Sequence, residues 1–213
     1  MTKFRNLIFD IGNVLVDIDY TVPISEFQKL VPQNSNFRFE TVVSYTNQHN
    51  IFDLFEKGKV SVPEFRAGLR QFLKPNVTDA EIDLAWNSIL IKYPLAKFEL
   101  LKQLKIRYYT LALSNINELH VQAIDIAAAQ LLGEERFGNF FHKAYYSNEM
   151  GWRKPEKEIY EMLIQQENLN PGETFFVDDK LENIEMAREV GLQAYQLTKR
   201  DKLGELLKQL NII

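Results

Sequence analysis

Leu7-Ile8-Phe9-Asp10-Ile11-Gly12-Asn13-Val14 decides the reading of this chain. Three apolar residues run together and stop at Asp10 and Gly12. A continuous apolar run bounded by turn residues suits a short strand buried on both faces. The form recurs at Leu111-Ala112-Leu113, stopping at Ser114-Asn115, and at Thr174-Phe175-Phe176-Val177, stopping at Asp178-Asp179. Ala144-Tyr145-Tyr146 and Gln193 to Leu197 are weaker strand candidates. Helical periodicity fills the intervals at Leu95 to Lys105, Ile116 to Leu132, Pro155 to Gln166 and Leu181 to Val190. Pro155 is expected at a first helical position, and Gly191 at a helix C-terminus. Strands alternating with helices predict an α/β fold, a Rossmann-like three-layer core around a parallel sheet. Ligands of such sheets bind beyond the carboxyl ends of the strands, where these polar residues fall.

Between about Tyr20 and Tyr93 the pattern is helical, without a convincing buried strand. Ser61-Val62-Pro63-Glu64 and Thr78-Asp79-Ala80-Glu81 have the form of capping boxes, and Lys57-Gly58 and Pro75-Asn76 read as turns. The expected organisation is a core of residues 1–17 and 94–213, with a small helical cap, 18–93, inserted after the first strand. Phe52, Phe55 and Phe65 are expected to form the cap's own core.

The 213 residues include 46% hydrophobic and 25% charged side chains, which is ordinary globular usage. A formal net charge of −4 and the lack of a basic run argue against nucleic-acid or anionic-membrane partners. No stretch approaches the ~20 apolar residues of a membrane span. The N-terminus carries Lys3, Arg5 and Asn6 and lacks the form of a signal peptide, so a cytoplasmic location is expected. The absence of cysteine excludes disulfides, thiolate metal sites and a Cys nucleophile. Gly12-Asn13 is not a Gly-rich nucleotide loop. Monomer and homodimer are both left open.

Four elements carry the chemistry: Phe9 to Val14, Leu113-Ser114-Asn115, Arg153-Lys154-Pro155 and Val177-Asp178-Asp179. They bring three carboxylates, a hydroxyl and an ammonium to strand ends. Carboxylates suit Mg²⁺, which keeps several waters and a substrate phosphate. The hydroxyl and ammonium can hold the remaining phosphoryl oxygens, and phosphoryl transfer depends on such positioning and charge neutralisation. Taken singly, Asp10 and Ser114 could be turn or cap residues, Asp178-Asp179 a helix N-cap pair, and Lys154 a solvated surface residue.

In order and spacing the four elements resemble the motifs of the haloacid dehalogenase superfamily of hydrolases, over nearly the whole chain. With Val16-Asp17-Ile18-Asp19 and Gly151-Trp152-Arg153-Lys154-Pro155-Glu156, they resemble more narrowly its glucose-1-phosphate phosphatase-like subgroup. The resemblance implies a Mg²⁺-dependent phosphatase acting on a small phosphorylated metabolite, such as a hexose 1-phosphate, through an aspartyl-phosphate. It implies Asp10 as nucleophile and metal ligand, the Gly12 carbonyl, Asp178 and Asp179 around the metal, and Ser114 and the Asn115 backbone on phosphoryl oxygens. Lys154 would neutralise charge, and Asn183 would brace the fourth motif.

The chain departs from the commoner pattern at Gly12, where most phosphatases of that superfamily carry a second Asp as general acid and base. The glucose-1-phosphate-like subgroup shares this Gly. Asp17 and Asp19 are read as a solvated loop leading into the cap, with a replacement acid or a hinge as the other reading. His49, His120 and His142 lack metal-ligand spacing and are read as structural, His120 being also a candidate for substrate contact. Two rival functions are a metal-free 2-haloacid dehalogenase using Asp10 on carbon, and a non-catalytic phosphate-binding or regulatory protein. The acid pair Asp178-Asp179 opposes the dehalogenase.

Overall fold

The computed structural model describes residues 4–33, 38–39 and 51–213. The first strand, β1 (Asn6–Phe9), is followed by the short β2 (Asp17–Ile18). Among the described residues four helices come next: α1 (Thr21–Leu30), α2 (Ile51–Glu56), α3 (Val62–Arg70) and α4 (Asp79–Asn87). Strand β3 (Leu90–Lys92) then leads to α5 (Leu95–Arg107), β4 (Tyr109–Ser114) and α6 (Glu118–Ala127), which a π-helical turn extends over Ala128–Leu132. The chain closes with β5 (Lys143–Tyr146), α7 (Ser147–Met150), α8 (Lys157–Gln166), β6 (Thr174–Asp178), α9 (Leu181–Glu189), β7 (Gln193–Gln196) and α10 (Leu203–Gln209).

Five strands form one parallel sheet in the order β5-β4-β1-β6-β7. Strand β1 lies at its centre. Leu7, Ile8 and Phe9 are fully buried, and each such side chain contributes ~1.5–3 kcal/mol. Alternation sends them to opposite faces. Leu7 and Phe9 pack with Phe175 and Val177 against α5 and α10, through Phe98, Leu101, Leu203 and Leu207. Ile8 and Phe176 pack against α8 and α9, through Ile159, Leu163, Ile184 and Ala187. A sheet with apolar side chains on both faces and helices over each is the expected three-layer α/β core. The five anticipated strands are all present.

The helices between β2 and β3 enclose a third, separate hydrophobic cluster. Aromatic stacking dominates it: Phe55 on Phe65 with centroids 4.1 Å apart, and Phe27 on Phe39 at 4.3 Å. Both capping boxes form, at Ser61/Glu64 on α3 and at Thr78/Glu81 on α4. Phe52, Phe55 and Phe65 do build this cluster.

Two details differ from the sequence reading. β2 and β3 pair as a small antiparallel ribbon, with a bulge at Asp17/Ile18, where the helical insert joins the core. Leu90–Lys92 is too short and too exposed to carry a buried apolar run, so no such pattern marks it. Pro155 does not open α8, which begins at Lys157. Residues Arg153 to Glu156 instead close a turn, the Glu156 amide donating to the Arg153 carbonyl at 2.8 Å and the Glu156 carboxylate accepting from the Arg153 amide at 3.0 Å. Gly191 lies just beyond α9 with φ +92°, as its C-terminal role requires. Among the described residues no helix is long and apolar enough to cross a membrane.

Candidate active site

The central strand and its two neighbours end side by side. Asp10 follows β1, Ser114 ends β4 and Asp178 ends β6. The chain passes from β1 to β4 and β5 on one side and then crosses to β6 and β7 on the other, so a crevice opens at the carboxyl ends of the central strands. The Asp10 amide donates to the Val177 carbonyl at 3.0 Å, which fixes the first loop against the fourth.

Lys154 reaches into this crevice and is 1% exposed. Its Nζ lies 2.8 Å from Asp10 Oδ1 and 2.6 Å from Asp178 Oδ2, and donates to the Leu113 carbonyl at 2.8 Å. Three acceptors thus satisfy the three ammonium protons. Burial by itself would lower the Lys154 pKa, but the charges of Asp10 and Asp178 outweigh it and hold the ammonium above its usual range. Burial pushes the Asp10 carboxyl up to about 6, against the opposing pull of Lys154. Burial also raises Asp179, opposed by a hydrogen bond from Asn13.

Asp10, Asp178 and Asp179 each present a carboxylate oxygen, all within 4.8 Å of one another. Three carboxylates against one ammonium leave an excess of two negative charges in a buried place, which is costly unless a cation joins them. Oxygen donors of this kind suit a hard divalent cation. The helix-cap reading of the acid pair fails, because Lys180 is the N-cap of α9 and makes no side-chain cap bond. Asp178 Oδ1 instead accepts the Lys180 amide at 2.9 Å, and Asn183 Nδ2 donates to both Asp178 oxygens at 2.9 Å. Asn183 thus braces the fourth motif, as anticipated.

Ser114 is buried and lines the cleft beside Asn115 and Gly12. The Asn115 side chain is committed elsewhere. Its Nδ2 donates to the Lys154 carbonyl at 2.8 Å, and its Oδ1 accepts the Lys154 amide at 2.7 Å. That reciprocal pair sets the loop carrying Lys154 against the end of β4 and leaves only the Asn115 backbone for a ligand.

Asp17 and Asp19 do not line the cleft. Asp17 Oδ1 lies 3.4 Å from Lys97 Nζ, and Asp19 Oδ1 accepts the Thr21 amide at 2.8 Å and its hydroxyl at 2.7 Å. The Thr21 bonds hold the Asp19 carboxyl below its usual range. Both acids therefore serve the entrance to the helical insert. A Cβ at Gly12 would meet Ile18 Cδ1 at 2.8 Å, so an isoleucine from β2 fills the space beside Gly12.

His120 lines the cleft, but both ring nitrogens are taken: Nδ1 lies 3.0 Å from Asn117 Nδ2 and Nε2 lies 3.2 Å from the Trp86 carbonyl. With Asn117 donating, His120 carries its proton on Nε2. Burial lowers its pKa to about 4, so the ring is neutral and stacks on Trp86. It fastens α4 to α6. His142 accepts from the Thr110 amide through Nδ1, far along the sheet from the cleft. His49 lies outside the described residues.

Other participants were given no role by the sequence, although Asn13 and Arg153 lie inside two of the motifs. Asn13 adopts φ +55°, a backbone state that Asn tolerates, and its Nδ2 donates to Asp179 Oδ2 at 3.0 Å. Ser147 is fully buried; its hydroxyl accepts the Ile116 amide at 2.9 Å and lies 2.6 Å from the Glu56 carbonyl. It joins the loop after β4 to the end of α2. Arg153 spans Asp53 and Glu56 of α2, at 3.1 and 3.0 Å. An Asn after Gly12 was a visible turn signal; the other contacts are long-range.

Comparison with known proteins agrees with this geometry. The family model described as haloacid dehalogenase-like hydrolase matches residues 4–191. A D-ribitol-5-phosphate phosphatase of Bacteroides thetaiotaomicron is 30% identical over 194 residues, 90% of this chain and 91% of the relative. A haloacid dehalogenase family enzyme from the same species, crystallised with magnesium and inorganic phosphate, superimposes with a TM-score of 0.81 at 34% identity, covering 91% of this chain and 93% of that one. A predicted hydrolase of the family from Porphyromonas gingivalis gives 0.86 at 25% identity, covering 98% of each chain. With its parallel sheet, its acid cluster and these likenesses, the chain belongs to the haloacid dehalogenase-like hydrolase family.

Proposed function

We propose that the chain is a Mg²⁺-dependent phosphatase that forms an aspartyl-phosphate on Asp10. The observation that carries this reading is the single buried ammonium among three convergent carboxylates. Asp10, Asp178, Asp179 and the Gly12 carbonyl would hold the ion, and the similar enzyme crystallised with magnesium and phosphate supports that choice. When bound, Mg²⁺ supplies positive charge that draws the phosphoryl oxygens toward the acids.

The chain's own groups do the rest. An Asp10 oxygen attacks phosphorus, and the bond from phosphorus to the ester oxygen breaks. Lys154 holds Asp10 in one orientation and offsets negative charge as the bond forms. The Ser114 hydroxyl and the Asn115 backbone amide bind phosphoryl oxygens. Water then attacks the aspartyl-phosphate, releasing phosphate and restoring the carboxylate. With no carboxylic acid at position 12, the departing oxygen takes its proton from solvent, and the water that attacks the aspartyl-phosphate returns one. The α1 to α4 insert, residues 18–93, acts as a cap that shields the reaction from water.

The substrate is a small phosphorylated metabolite of the sugar or polyol class. The ribitol-phosphate relative supports that class. The glucose-1-phosphate-like form of the first and third motifs and the Gly at position 12 favour a hexose 1-phosphate within it, because a hemiacetal oxygen leaves more readily than an ordinary alcohol. A phosphate-ester panel assayed with Mg²⁺, and again with excess chelator, tests the whole reading. Hydrolysis that stops on chelation and returns with Mg²⁺ is expected. Full hydrolysis in chelator removes the metal from the mechanism, and chloride release from 2-chloropropionate with no phosphate release installs the dehalogenase in its place.

A further inference from the structure

The cleft beyond the acid cluster is lined by two unlike groups of residues. One is apolar, with Ile18, Trp86, Ile89 and Leu90 facing it. The other holds Asp53, Glu56 and Arg153. Arg153 Nη1 lies 3.1 Å from Asp53 Oδ1, and Nη2 lies 3.0 Å from Glu56 Oε2. Lys57 Nζ lies 3.0 Å from Asp53 Oδ2 and 2.6 Å from Glu156 Oε1.

A simple clamp between helix α2 and the loop before Lys154 would pair its charges. Here, among the described residues, three carboxylates meet two cations. Glu56 Oε2 is held by Arg153, while Oε1 makes no hydrogen bond among those residues and the side chain borders the cleft. Its position is otherwise determined: the Glu56 carbonyl is held by Ser147, whose hydroxyl also takes the Ile116 amide beside the proposed phosphate loop. The backbone at Glu56 is therefore tied to the loop after β4, while Arg153 holds its carboxylate beside the cleft. A fixed anion of this kind repels a second phosphate or a carboxylate and accepts from O–H groups, with charge-assisted strength. The apolar lining residues suit the C–H side of a carbon chain.

Resting on the phosphatase reading, we infer that Glu56, oriented by Arg153, is a specificity-determining residue that accepts a hydroxyl of the substrate's leaving group. The cleft then selects polyhydroxylated phosphate monoesters over simple alkyl ones, and the selection is made by α2 rather than by the core.

The test compares D-ribitol 5-phosphate with n-pentyl phosphate, two primary esters of equal carbon number, one without hydroxyls. The full chain is assayed with Mg²⁺ as native protein, Glu56→Gln and Glu56→Asp. Native protein is expected to favour the ribitol ester by about tenfold or more in kcat/KM. Glu56→Gln should reduce that ratio about tenfold, chiefly through KM for the ribitol ester, since a charged acceptor becomes a neutral one. Glu56→Asp, which keeps the charge, should recover part of it. A native ratio near one, or a ratio unchanged in Glu56→Gln, overturns the inference. So does an equal loss on both esters, the result of a purely structural clamp. 4-Nitrophenyl phosphate separates the two levels: if native protein with Mg²⁺ leaves even this activated ester intact, the phosphatase reading itself falls.

Discussion

Arg153 and Lys154 are adjacent in the chain, and each lies between two carboxylates. Lys154 joins Asp10 to Asp178 and is 1% exposed, with every proton spoken for. Arg153 joins Asp53 to Glu56 with its side chain 20% exposed, at the seam between core and insert. One pairing is sealed under the sheet's edge and the other borders a cleft. The same chemistry of ion pairs thus serves two ends. Inside, it holds Asp10 and Asp178 in register at the cost of desolvation. At the seam, it sets a helix against the core while the Glu56 side chain borders the cleft.

The largest effect should come from the buried pairing. Asp10→Asn removes the carboxylate proposed to attack phosphorus and should lower turnover by about 10³-fold or more, with the fold retained by circular dichroism. Turnover within a few-fold of native would end the nucleophile assignment. Lys154→Gln should destabilise the metal-free protein by about 3–5 kcal/mol in urea unfolding, because Asp10 and Asp178 are left facing each other without a buried counter-charge. Arg153→Gln should cost only about 1 kcal/mol, as a partly solvated pair does. Equal losses would erase the distinction between the two sites. Added Mg²⁺ should recover more stability in Lys154→Gln than in Arg153→Gln, since the cation replaces the missing charge where the acids converge.

The acid cluster should also reveal itself through pH. Asp10 is raised from 3.8 to about 6 in the metal-free chain, chiefly by burial. Folding therefore tightens its proton, and its contribution to stability is complete below 3.8 and lost as pH rises through about 6. The ion needs the deprotonated carboxylate, so Mg²⁺ affinity should fall up to about tenfold per pH unit below this range and level off above it. Calorimetric titration at several pH values measures this, and an affinity flat across that range contradicts it.

The smallest change concerns Gly12. A Cβ there meets the end of the Ile18 side chain, at 2.8 Å from Cδ1, and not backbone. Gly12→Asp should therefore fold, with Ile18 turning aside. It should raise turnover of ordinary alkyl phosphates by about tenfold, short of the ~10²–10⁴ that an evolved general acid provides. Ile18→Ala in the same chain should enlarge the gain. Hexose 1-phosphates should outrun the 6-phosphates in native protein and lose that lead in Gly12→Asp. A native enzyme indifferent to the leaving group would show that its proton comes from elsewhere.

Much of this molecule was legible along the chain, because strands buried on both faces must be apolar throughout and must end where polar residues begin. The runs ending at Asp10, Ser114 and Asp178 marked the sheet and one of its edges together. The spacing of Ser61/Glu64 and Thr78/Glu81 marked two helix starts, since a capping box is a contact within four residues. Lys154 was legible only through its motif, as one lysine among many until the fold buried it. The tertiary structure alone decided which charges meet. Asp53 and Arg153 are a hundred residues apart, Glu56 and Ser147 nearly as far, and periodicity carries no information about such pairs. It also decided that Asp17 and Asp19 turn away to Lys97 and Thr21, that His120 spends both nitrogens on fastening the insert, and that Ile18 fills the space beside Gly12. Local sequence determines which face of an element is apolar. Which polar groups converge depends on how the elements pack, and packing brings together residues that the chain keeps far apart.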